Sequence, residues 1–169
     1  MKLKSDVTIN GKPYKKGGSI SGWGIYPFFM VHMLMFGGSG FFMAYAENGP
    51  PVLFLYAHGG FAILVYCIFY LNFFGKEEVK WMFINGGLGI FGIYAEINWL
   101  LGHFGKHISD FPFYVHVIPF LYYVLYTFLI RQAVLDLFNA REDDEKENRV
   151  NQYYIVISLI IYSLIFFIL

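Results

Sequence analysis

Five stretches of the chain are apolar over close to 20 residues each, and that repeat restricts the fold more than any other feature. They cover residues 25–46, 52–74, 81–101, 112–133 and 150–169. About 20 predominantly apolar residues in a helix cross a hydrocarbon core about 30 Å thick. Within such a core every backbone polar group has to be bonded internally, so an apolar stretch of this length is a helix. The links are short: residues 47–51, 75–80, 102–111 and 134–149. Short links make sequential helices antiparallel neighbours and give a compact bundle. The expected fold is an all-α integral membrane protein, a bundle of five transmembrane helices over residues 25–169. Composition agrees: 57% of the residues are hydrophobic and 22% aromatic against 14% charged, more apolar surface than a soluble domain of this size can hide.

Residues 1–24 are different. Lys2, Lys4, Lys12, Lys15 and Lys16 stand against Asp6, making a basic tail. Within it, Val7 to Tyr14 reads as a short β-hairpin, because Asn10-Gly11 supplies the positive backbone dihedrals of a two-residue turn. A lone hairpin is barely stable in water, so this one is expected to rest on the membrane face or on a partner. Trp23 then fits as an interfacial anchor.

Lys and Arg set the orientation. With the N-terminus cytoplasmic, eleven of the 12 Lys and Arg residues fall on the cytoplasmic side and Lys106 alone falls outside. The expected topology is N-terminus in, C-terminus out, in the inner cell membrane with several passes. The run from Arg141 to Arg149 carries both signs of charge and reads as a solvated extension of the fourth span, with a cytoplasmic docking surface as the lesser alternative. Arg131 is expected to reach back to the interface along its aliphatic stem. The basic tail suits anionic lipid headgroups, and nothing in the pattern suits nucleic acid. The lone cysteine, Cys67, excludes a disulfide framework, a cysteine-rich zinc site and a CxxC pair.

The polar residues inside the spans are few. Glu96 and His103 stand seven residues apart near one end of the third span. A carboxylate in an apolar span is costly and by default marks a functional site. Alternating helix direction brings His58, His116 and His107 to the same outer level. His32, nearer the cytoplasmic end of the first span, stands apart. The expected site is therefore an outer pocket, with three readings. As a transition-metal site it would use Glu96, His103, His107, His58 and His116, since imidazole and carboxylate suit zinc, iron or copper. As a haem b site it would take axial ligands from His58 with His116 or His103. The third reading is a structural polar cluster that only holds helices together. For His32, a quinone pocket or proton path with Tyr26 and Tyr66 is the functional alternative to plain packing. There is no GxSxG, Walker A, HExxH or dinucleotide fingerprint.

Two classes of function follow. One is a small integral subunit of a membrane redox or respiratory-type complex, holding a haem, metal ion or quinone in that His/Glu pocket, and a part of an enzyme more than a complete one. The other is a non-catalytic accessory or assembly subunit packing against larger membrane partners or against further copies of itself.

Overall fold

The computed structural model describes residues 2–9 and 11–168. In chain order it contains β1 (Val7–Ile9), β2 (Lys12–Tyr14), α1 (Gly22–Tyr45), α2 (Val52–Phe74), α3 (Lys76–Leu88), α4 (Ile90–Gly102), a 3-10 turn (Ile108–Asp110), α5 (Phe113–Leu137) and α6 (Asp144–Ile168). Four of these helices, α1, α2, α5 and α6, are long and apolar enough to cross a membrane, as in a multi-pass membrane protein.

The third apolar stretch differs from the single helix expected. It is two 13-residue helices, α3 and α4, meeting at Gly89. The cause is local. Lys76, Glu77, Glu78 and Lys80 make the start of α3 polar, and Gly86, Gly87 and Gly89 then weaken the helix where it would have to continue. The backbone is nevertheless kept bonded at the join, with the Gly89 N–H donating to the Asn85 carbonyl at 2.8 Å and the Ile93 N–H to that of Gly89 at 3.0 Å.

The other boundaries have simple reasons. Pro51 and Pro112 stand at the caps preceding α2 and α5, where a missing N–H costs nothing. Gly75, at φ 93°, ends α2 and turns the chain directly into α3; that backbone conformation is open to glycine and strained for other residues.

β1 and β2 pair antiparallel, Val7 with Tyr14 and Ile9 with Lys12. The hairpin is seated on the protein's own bundle. Leu3 is 1% exposed, and Ser5 Oγ donates to the Asn72 carbonyl at 2.8 Å at the end of α2. This defines a hairpin end of the bundle, shared by the α2–α3 junction and the α5–α6 link, and an opposite end formed by residues 46–51 and 103–112.

α5 is the centre. Leu125, Leu129, Gln132 and Leu135 are all buried on it, and α1, α2, α3, α4 and α6 each pack against it. α1 and α5 meet most extensively, where Gly37 and Gly40 let the Tyr122 ring lie against the α1 backbone. α6, by contrast, runs along α4 and α5 with no buried residue in its apolar stretch.

Candidate functional site: two imidazoles in a membrane-facing groove

At the opposite end the expected outer pocket resolves into separate contacts. His116 uses both ring nitrogens: Nε2 donates to the Phe111 carbonyl at 3.3 Å, so Nδ1 accepts from the Tyr45 hydroxyl at 2.9 Å. His103 turns back on its own helix and donates Nδ1–H to the Trp99 carbonyl at 2.9 Å. His107 is exposed, and its backbone N–H donates to Asp110 Oδ2 at 2.7 Å in the 3-10 turn. Asn98 Oδ1 accepts from the Ile108 N–H at 3.0 Å, and Lys106 Nζ donates to the Tyr45 carbonyl at 2.8 Å. These bonds fasten the link between α4 and α5.

Glu96 points elsewhere. It is half-buried beside Tyr123 of α5, which also meets Tyr162 of α6. Among the described residues no group of three or more His, Cys, Asp or Glu side chains is arranged to hold a metal ion. Glu96, His103, His107, His58 and His116 form no such group.

His58 instead faces outward between α1 and α2. There it lines a groove of about 460 Å³ together with His32, Phe28, Phe36, Phe61 and Tyr66. Phe54 lies parallel to the His58 ring, 5.9 Å between centroids and 5° between planes, and Phe36 closes the other side at 6.2 Å. One turn below Phe36, His32 packs on Phe28 at 4.1 Å. His32 donates Nδ1–H to the Phe28 carbonyl at 3.0 Å, which leaves Nε2 for the groove. Among the described residues His58 has ring contacts and no hydrogen bond.

The surroundings make this costly. Val31, Leu34, Leu53, Phe61, Leu64 and Ile68 are exposed on the same helices, a surface that suits acyl chains. An imidazole facing hydrocarbon without a partner loses its hydrogen bonds to water and gains none. Behind the groove, the buried hydroxyl of Tyr122 has no partner among the described residues, with Tyr66 in electrostatic reach.

The densest polar network is at the hairpin end. Arg131, expected to reach the interface, is 4% exposed and spans three elements. Its Nη1 donates to Glu78 Oε2 of α3 at 2.7 Å, its Nη2 to Glu147 Oε1 of α6 at 3.2 Å and its Nε to Asn151 Oδ1 at 2.9 Å. Gln132 Nε2 adds a bond to Glu78 at 2.6 Å. Burial raises the affinity of the Glu78 carboxyl for its proton, but the bonds from Gln132 and Arg131 outweigh it and hold the group below its ordinary range. A second cluster joins Asp136 to Arg141 and to the Tyr26 hydroxyl. Burial works against the Arg141 charge, and the Asp136 carboxylate with the hydrogen bonds to Asp136 and the Tyr26 hydroxyl more than restores it. The acidic residues of the linker were visible in the sequence; that Arg131 would turn inward to one of them and to Glu78 was not.

The chain matches no known protein family, no characterised protein and no solved structure.

Proposed function

We propose that this protein is a small integral subunit of a membrane redox complex that binds a quinone-type carrier in the α1–α2 groove. The observation that carries the reading is the pair of imidazoles in one aromatic groove, where among the described residues His58 has no hydrogen bond and His32 uses only Nδ1. A quinone brings what the groove lacks. It is flat enough to lie among Phe28, Phe36 and Phe54, its carbonyl oxygens accept from imidazole N–H groups, and its tail is soluble in the bilayer. The reading places the third apolar stretch across the membrane as the broken pair α3–α4, for five crossings with the N-terminus in. The inner cell membrane is the fitting location, and partner subunits supply the electrons.

The test is photo-crosslinking of an azido-quinone to the purified chain, with the adduct mapped by mass spectrometry, alongside equilibrium binding of a short-tailed quinone. Adducts are expected on α1 and α2. His58→Ala and His32→Ala should each weaken binding about tenfold, the equivalent of one hydrogen bond, while His103→Ala leaves it unchanged. Absence of binding, or binding indifferent to both substitutions, rejects the quinone and leaves the accessory-subunit reading. Haem bands in the dithionite-reduced spectrum would replace the quinone with haem.

A further inference from the structure

On the far side of α5 from the groove, a cleft of about 600 Å³ separates the α3–α4 pair from α6. Its walls are mostly apolar, but polar groups recur along it: Arg131 near the hairpin end, then Asn85, Thr127, Ser158, Ser163 and Tyr162. On α6 the lining runs from Tyr154 to Phe167, roughly 20 Å of helix at 1.5 Å per residue. Tyr162 is the link to the carboxyl that composition made conspicuous. Its ring lies directly on the Gly92 backbone, and it meets Tyr123, which meets Glu96.

Among the described residues the titratable groups that meet Glu96 are phenols: Tyr123 of α5, with Tyr162 and, farther off, Tyr154 of α6. No salt bridge involves Glu96 among the described residues, so it has no fixed counter-charge. A half-buried carboxylate with the Tyr123 hydroxyl as its hydrogen-bond partner and no counter-charge can lose its charge by binding a proton. We infer that Glu96 is a proton-exchanging carboxyl reached by water from the hairpin end through the α4–α6 cleft. The exchange is simple: water in the cleft delivers a proton to a Glu96 carboxylate oxygen by way of Tyr162 and Tyr123, and the reverse transfer returns it. The hydroxyls of Ser158, Ser163 and Thr127 give a water file its hydrogen-bond partners.

Dicyclohexylcarbodiimide provides the test on the full chain in detergent and in liposomes. The reagent takes the proton of a protonated carboxyl on nitrogen while the carboxyl oxygen adds to its central carbon, and the adduct rearranges to a stable N-acylurea. Mass spectrometry is expected to find this adduct on Glu96, declining about tenfold per pH unit above the midpoint and indifferent to sodium chloride at fixed pH. Tyr162→Phe and Tyr123→Phe, which keep the rings, should shift the midpoint; Glu96→Gln should abolish the adduct. On a Cys67→Ser background, Ser158→Cys and Ser163→Cys should react with a charged thiosulfonate added from the hairpin side. No adduct on wild-type Glu96, or labelling that does not vary with pH, overturns the inference. Protection by sodium would make the site a cation site instead, and thiols unreactive from the hairpin side would mean that the cleft is dry.

Discussion

Replacing Arg131 with methionine tests the joint that ties α6 and α3 to α5. The guanidinium is almost fully buried and bonds to Glu78, Glu147 and Asn151. Methionine fills much of the volume, so the cost is chiefly electrostatic: Glu78 keeps only Gln132, and Glu147 loses its partner. Removing one member of a buried ion pair costs about 3–5 kcal/mol. Glu147→Gln should be far milder, about 1 kcal/mol, because its bond is the longer one at 3.2 Å and its side chain is 28% exposed. The assay is reversible unfolding in mixed micelles followed by circular dichroism. The wild-type joint should also respond to acid. Glu78 holds its proton less tightly in the folded protein than at its ordinary value of 4.5, so its contribution is complete above that value and is lost as pH falls through the lower folded one. Arg131→Met should show a flatter acid limb. If Arg131→Met is no less stable than Glu147→Gln, the reasoning about this joint is wrong.

Two further substitutions probe packing. Gly92→Ala places a methyl where the Tyr162 ring lies; overpacking of this kind costs about 1–3 kcal/mol, and the penalty should shrink in the Gly92→Ala/Tyr162→Ala double variant, measured by the same unfolding assay. Leu3→Ala removes a side chain that is 1% exposed; about 2–4 kcal/mol of local stability should go, read as faster proteolysis within residues 2–19 while the helical signal stays unchanged.

Much of the architecture can be read from the residues alone. Runs of Ile, Leu, Phe and Val mark where α1, α2, α5 and α6 lie, and Asn10-Gly11 marks the hairpin. Apolarity says little about backbone continuity, however: Asn85, Gly86, Gly87 and Gly89 are small enough to sit in a packed span, so their presence alone does not mark the break at Gly89. The site was less legible for a related reason. Alternating helix direction gives the depth of His58, His103 and His116 along the bundle axis. It does not give the direction in which each points around its helix. In these spans apolar residues surround each helix, so no polar face orients it, and His58 turns out to share a groove with His32 while His116 turns inward to Tyr45. The same limit hid the inward turn of Arg131, since a basic residue near a helix end has a ready alternative in the headgroups.

The central place of α5 has a bearing on how the protein is made. Translation delivers α1 to α4 to the bilayer before the helix on which each of them rests has been synthesised. Until then α1 and α2 have each other, with Phe29 against Tyr66 and Phe73 and the Tyr70 hydroxyl on Met33, but not the Tyr122, Leu125 and Phe128 faces that complete their burial. Completion of the core is therefore a late event, reached when α5 packs on these helices and its Arg131 and Gln132 bond to Glu78 of α3. A ribosome stalled before residue 113 would leave helices touching their sequence neighbours without the one that joins them into a single core, which makes the arrival of α5 the step that closes the bundle.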